Sequence, residues 1–202
     1  MAARKVSLSA PKAAVRKATP KAAAAKQSPA KAVKSAAPSA GKNAGRVAVG
    51  KRVPAFSSPM SGGRTWKSAE AAGKHLVLYF YPRDNTSGCT KEGEAFRDLY
   101  PAFKKANTVI LGVSTDSVAS HEKFKAKFEF PFELLADEDQ TLCALFDVIK
   151  EKSMYGRKFI GVERSTFLID SAGVLRNEWR KVKVPGHAEA VLAAVKALSQ
   201  SR

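Results

Sequence analysis

The chain has 202 residues and a formal charge of +17 at pH 7, and that charge is unevenly distributed. Residues 1–52 hold nine Lys, four Arg and no acidic residue, which leaves 22 basic and 18 acidic residues in the remainder. Two cysteines are too few for a disulfide-stapled secreted scaffold, and no run of 18 apolar residues is present to span a membrane. Because a continuous apolar stretch typical of a secretory signal is also missing, we expect a cytoplasmic protein without a membrane partner.

Residues 1–50 predict a disordered basic tail. They consist largely of Ala, Lys, Pro and Ser and include no aromatic residue. Such a segment buries too little apolar surface to offset the conformational entropy that ordering would cost. We therefore divide the chain into a disordered tail, residues 1–50, and a globular domain, residues 51–202.

Beyond the tail, short apolar runs alternate with helical stripes. A nearly wholly apolar run at 75–81 predicts a strand buried on both faces. A helical stripe follows at Phe96, Leu99, Tyr100 and Phe103. Further along we predict a strand at 108–113, a helix at 117–128, a strand at 132–135, a helix that Asp137 caps and that runs to about Phe146, a hairpin of 165–170 with 174–179, and a helix at 187–198. This order predicts an α/β fold with a central mixed sheet.

Cys89 is the residue best suited to chemistry. It lies where a turn-rich segment, residues 82–87, meets the predicted helix. Unpaired N–H groups and the helix dipole at such a position favour a thiolate over a thiol. Thr86 can aim its hydroxyl into the same pocket, and Pro82 can shield the sulfur without adding a competing donor. The alternative is an inert, buried cysteine that happens to begin a helix.

The stretch around Cys89 resembles a known active-site motif. Pro82, Thr86 and Cys89 have the Pro-x-x-x-Thr-x-x-Cys spacing of the peroxiredoxins, and residues 78–82 and 88–92 are similar to the bacterioferritin-comigratory-protein, or peroxiredoxin Q, subfamily. Segments 154–156, 161–170 and 179–187 agree in order and spacing, so the resemblance covers roughly residues 50–200. It implies a thioredoxin-like fold and a thiol-dependent peroxidase that needs no cofactor.

The resemblance also implies roles for four residues. Cys89 is the peroxidatic nucleophile, which hydrogen peroxide or an organic hydroperoxide oxidises to a sulfenic acid. Thr86 hydrogen-bonds the peroxide, and Pro82 shapes the pocket. Arg164, about 75 positions away, is expected beside the sulfur, where its charge favours the thiolate and stabilises the leaving oxygen. The alternative for Arg164 is an ordinary surface arginine.

The chain departs from the subfamily at one position. Many members have a resolving cysteine five residues after the first, where this chain has Glu94. The other thiol, Cys143, lies in an apolar segment that favours an inert helix-core cysteine. We therefore expect a one-cysteine mechanism, in which thioredoxin, glutaredoxin or a low-molecular-weight thiol reduces the sulfenic acid. Glu92 and Glu94 would oppose ionisation of Cys89 if they faced it, and we expect the nearby positive charges to outweigh them.

The tail allows three interpretations. Its Lys-rich composition with Pro-Lys spacing resembles histone-like tails and favours non-specific DNA binding through residues 1–52, at the nucleoid or in the nucleus. An organelle targeting peptide is also acid-poor and rich in Ala and Ser. A solvated tail without a partner is the third interpretation.

For the chain as a whole, two other function classes are alternatives to an enzyme. One is a DNA-binding chromatin or nucleoid protein with a redox-sensing domain. The other is a thioredoxin-fold interaction module without turnover. Because relatives in the subfamily are often monomers, we expect a monomer.

Overall fold

The structure is a computed structural model and describes residues 47–154 and 157–200. Most of the predicted tail, and Tyr155 and Gly156 of one peroxiredoxin-like segment, lie outside the described residues. In chain order the elements are β1 (Ser57–Pro59), β2 (Thr65–Lys67), a 3₁₀ helix (Ser68–Ala71), β3 (His75–Phe80), α1 (Ser87–Lys105), β4 (Thr108–Ser114), α2 (Val118–Phe128), β5 (Glu133–Ala136), α3 (Thr141–Leu145), β6 (Ile149–Met154), β7 (Arg157–Val162), β8 (Ser165–Ile169), β9 (Leu175–Trp179) and α4 (His187–Gln200).

Five strands form the central sheet, in the order β5-β4-β3-β8-β9. β3, β4 and β5 are parallel, whereas β8 runs antiparallel to both β3 and β9. This mixed sheet with flanking helices confirms the predicted thioredoxin-like α/β fold. None of the helices in the described residues is both long and apolar enough to cross a membrane.

Strand β3 separates two cores because its side chains alternate between the faces of the sheet. Leu76, Leu78 and Phe80 pack into one core, which α3 covers, and we call it the α3-side core. Val77 and Tyr79 pack into the other, which α1, α2 and α4 cover, and we call it the α1-side core. All six residues of β3 are buried, as the apolar run predicts.

The helix predicted to follow Asp137 is shorter than expected. Gln140 has a left-handed backbone conformation, with φ 59°, so the helix α3 begins only at Thr141. Asp137 caps it, as predicted, because its carboxylate accepts the N–H of Leu142 at 2.9 Å and that of Cys143 at 2.7 Å.

Two small hairpins, β1–β2 and β6–β7, were not predicted. β6 has the sequence Ile-Lys-Glu-Lys-Ser-Met, and its charged residues leave no alternation of apolar side chains to mark a strand. The contacts of the domain also begin slightly before the predicted boundary at residue 51. Val47 is buried in the α3-side core, and the Gly50 N–H donates to the Leu175 carbonyl at 2.8 Å.

Gly112, on β4, provides a test of the packing. A Cβ at this position would lie 2.7 Å from Leu134 Cδ2 and from the phenol of Tyr79. We expect Gly112→Ala to lower the free energy of unfolding by about 1–3 kcal/mol, measured by urea unfolding. Gly161→Ala is the control, because its nearest contact is the exposed ring of Phe159, and it should change stability by less than about 0.5 kcal/mol. Unchanged stability in Gly112→Ala would show that Tyr79 can move aside.

Candidate active site

Cys89 lies in the first turn of α1 and is only 2% exposed. This position places its sulfur near the N–H groups and the positive end of the helix dipole. Arg164 Nη2 lies 3.3 Å from Cys89 Sγ. The register of the sheet explains this contact: Phe80, at the end of β3, pairs with Ser165, at the start of β8. The antiparallel pairing therefore brings together two residues 75 positions apart.

Arg164 also forms an ion pair with Glu92, one turn along α1 from Cys89. The Glu92 side chain is 1% exposed, and its burial raises the pKa to about 7 although Arg164 lowers it. From the sequence, Glu92 is expected only to oppose ionisation of Cys89. In the structure it holds the guanidinium instead. Its spacing of three residues from Cys89 puts both side chains on one helix face, and this was the signal available in the sequence.

Thr86 and Pro82 lie in the loop that joins β3 to α1. Thr86 is the exposed N-cap residue of α1, and its hydroxyl donates to the Arg83 carbonyl at 3.2 Å. Pro82 is half-buried at the start of the loop. The structure therefore brings Cys89 and Arg164 into direct contact, whereas the Thr86 hydroxyl is engaged by a neighbouring backbone group.

Cys143 lies in the α3-side core, whereas Cys89 lies in the α1-side core. Cys143 is fully buried in α3, as predicted from its apolar neighbours. Burial, with the nearby carboxylate of Asp137, raises the pKa of the Cys143 thiol far above its ordinary value. Both cysteines are free, and the central sheet lies between them.

His187, at the start of α4, is a further buried group near Arg164. Its Nε2 lies 2.8 Å from Thr166 Oγ1, which ties α4 to β8. Burial, together with the charge of Arg164, lowers the pKa of His187 to about 4, so the ring is uncharged at neutral pH. Within the described part of the chain, no group of three or more His, Cys, Asp or Glu side chains is placed to hold a metal ion.

The fold and this geometry define a class. A cysteine at a helix N-terminus with an arginine at its sulfur, on a thioredoxin-like sheet, is the arrangement of a thiol-based redox enzyme.

Comparisons with known proteins identify the family. The model of the AhpC/TSA family matches residues 49–178. Peroxiredoxin Bcp of Xanthomonas campestris is 56% identical over 138 residues, which are 68% of this chain and 86% of that protein. Peroxiredoxin Bcp of Bacillus subtilis is 45% identical over 154 residues, which are 76% of this chain and 98% of that protein.

Solved structures agree. A cysteine-to-serine variant of peroxiredoxin Q from Xylella fastidiosa has a TM-score of 0.73 and 45% identity, covering 77% of this chain and 99% of its own. Peroxiredoxin Q of Xanthomonas campestris has a TM-score of 0.69 and 54% identity, covering 71% of this chain and 91% of its own. The chain belongs to the AhpC/TSA family, as a peroxiredoxin of the Bcp, or peroxiredoxin Q, type, and it is a thiol-dependent peroxidase.

Glu92 predicts a pH dependence of stability. Its pKa is about 7 in the folded protein, above the ordinary 4.5, so the folded protein retains a proton that the unfolded chain releases between these values. The wild type should therefore lose stability relative to Glu92→Gln as the pH rises from 4.5 to about 7. We expect a relative change of ~3 kcal/mol, measured by urea unfolding of both proteins across this range. A stability difference that stays constant with pH would contradict this.

Proposed function

We propose that this peroxidase reduces hydrogen peroxide and organic hydroperoxides through Cys89, by a one-cysteine mechanism. The contact that carries the proposal is the 3.3 Å separation of Arg164 Nη2 and Cys89 Sγ. A guanidinium at this distance stabilises the thiolate, which is the nucleophilic form of cysteine. The first turn of α1 adds its N–H groups and dipole to the same effect.

A single displacement at Cys89 reduces the peroxide. The Cys89 thiolate attacks one peroxide oxygen, and the S–O bond forms as the O–O bond breaks. Sulfur is oxidised to a sulfenic acid, and the peroxide is reduced to hydroxide or alkoxide, which takes a proton from solvent. Arg164 is placed to stabilise the charge on the leaving oxygen. Thr86 would turn its hydroxyl from the Arg83 carbonyl to the entering peroxide, with Pro82 beside it.

A relative supports organic hydroperoxides as substrates. The solved structure of the bacterioferritin comigratory protein of Xanthomonas campestris has 53% sequence identity to this chain. Its trapped intermediate and ligand complexes concern the alkyl peroxide reduction activity of that protein.

The position of Cys143 supports the one-cysteine mechanism. A disulfide needs Cα atoms within about 7 Å, and the sheet between the two cores stands in the way. Glu94, five residues after Cys89, cannot form a disulfide. We infer that an outside thiol attacks the sulfenic sulfur and releases water, and that a second thiol reduces the mixed disulfide.

Three variants test this mechanism. Cys89→Ser should abolish peroxide consumption with a thiol reductant, and the matched variant Cys143→Ser should retain it. Arg164→Lys should slow the reaction about tenfold or more, because lysine keeps the charge but cannot contact Cys89 and Glu92 through two separate nitrogens.

Mass spectrometry after one equivalent of peroxide should find sulfenic acid on Cys89. Full activity in Cys89→Ser would refute its role, whereas a Cys89–Cys143 disulfide as the main product would refute only the one-cysteine mechanism.

We also propose that residues 1–52 bind DNA without sequence preference. The segment has 13 basic residues and no acidic one, whereas the charges of the remaining chain nearly balance. Lysines and arginines that neutralise phosphates release counterions, which gives salt-dependent affinity. A peroxidase held in this way would remove oxidants close to DNA.

Gel retardation tests the tail. The full chain should retard DNA at 50 mM salt and lose affinity by about 10³-fold at 200 mM. A chain lacking residues 1–46 is the control, because it keeps Val47 in the α3-side core. Equal retardation by both would contradict the role of the tail, and no retardation by either would favour a targeting peptide or a solvated segment.

A further inference from the structure

Asp84 is a buried acid in the loop between β3 and α1, with a side chain that is 2% exposed. Its Oδ1 accepts a hydrogen bond from Tyr81 Oη at 2.8 Å, and its Oδ2 accepts one from Ser120 Oγ at 2.7 Å. His121 Nδ1 lies 2.9 Å from the same Oδ2. Burial raises the pKa of Asp84, but His121, Ser120 and Tyr81 together outweigh it and hold the pKa below its usual value. The carboxylate is therefore the form that these donors stabilise.

His121, on α2, is fully buried and bonded on both sides of its ring. Nδ1 faces the Asp84 carboxylate, and Nε2 lies 3.1 Å from the Leu135 carbonyl oxygen on β5. His121 thus contacts Asp84 through one ring nitrogen and β5 through the other, and the two contacts fix the orientation of its ring.

The backbone of the loop is held as well. The Asp84 N–H donates to Asp116 Oδ2 at 2.8 Å, and Ser114 Oγ donates to the same oxygen at 2.7 Å. The next residue, Asn85, has a left-handed φ of 57°, and Thr86 follows at the N-cap of α1. A sparsely populated conformation of this kind persists where its surroundings determine it.

We propose that Asp84 and His121 are positioning residues for the peroxide reaction, which hold Pro82 and Thr86 where a peroxide meets Cys89. The inference rests on the proposed role of Cys89. A buried network of polar side chains contributes little net stability compared with apolar residues of similar size, and its best-attested use is to fix one geometry. Here the geometry that it fixes is the loop between Pro82 and Thr86.

Two substitutions of His121 separate its two bonds. His121→Asn retains a donor near the position of Nδ1, facing Asp84, whereas His121→Gln reaches toward the Leu135 carbonyl and loses the donor to Asp84. We expect the rate constant for oxidation of Cys89 by hydrogen peroxide to fall about tenfold or more in His121→Gln, and to be largely restored in His121→Asn. His75→Gln, which replaces another buried histidine at the far end of β3, is the matched control and should leave the rate unchanged.

Alkylation of Cys89 by iodoacetamide distinguishes positioning from a general loss of structure. Alkylation needs the thiolate but no aligned peroxide, so His121→Gln should not slow it. Thermal unfolding shows whether each variant is folded at the assay temperature. If His121→Gln does not fold, Asp84→Asn makes the same test, because it keeps the shape of the side chain and loses its charge.

Three outcomes would overturn the inference. The first is a wild-type rate of peroxide reaction in His121→Gln, or in Asp84→Asn if His121→Gln does not fold. The second is an equal fall in that rate in His121→Asn and His121→Gln. The third is alkylation of Cys89 that is slowed as much as the peroxide reaction. The proposed role of Cys89 is tested separately, because it fails if Cys89→Ser still reacts with peroxide.

Discussion

The guanidinium of Arg164 bridges a buried sulfur and a buried carboxylate, and the remainder of the site is arranged around this bridge. Nη2 contacts Cys89 and Nη1 contacts Glu92, two residues that lie on one face of α1. The planar guanidinium presents donors in a fixed fork, so a single side chain can serve both partners. Gly88 leaves room for it, because a Cβ there would lie 3.2 Å from Nη2.

The central sheet performs two tasks for this chemistry. Its antiparallel β3–β8 pairing delivers Arg164 to the start of α1, opposite the end of β3. Its two faces also keep the thiols apart, with Cys89 in the α1-side core and Cys143 in the α3-side core. One thiol therefore has a cation at its sulfur, whereas the other lies beside the carboxylate of Asp137, which with burial keeps it protonated.

Most of the elements that form the sheet could be predicted because they are continuous apolar runs or regular helical stripes. The β6–β7 hairpin could not, since its charged strand lacks that pattern. In the site, the resemblance of segment 161–170 to the peroxiredoxins implied that Arg164 lies beside Cys89, and the contact between them is present. The contact of Glu92 with Arg164 could not be predicted. A negative charge on a helix does not indicate which residue, here 72 positions away, lies beside it in the fold.

Composition and local spacing were sufficient to establish four properties. These are the uneven charge, the α/β class, the position of Cys89 at a helix start and the resemblance to the peroxiredoxins. These properties depend on neighbours within a turn or a strand, which periodicity records directly. Tertiary structure alone decided that Glu92 holds Arg164, that Asp84 meets His121 and that Cys143 lies behind the sheet. Each of these contacts depends on the register of strands and the packing of helices over long separations, and no local pattern encodes them.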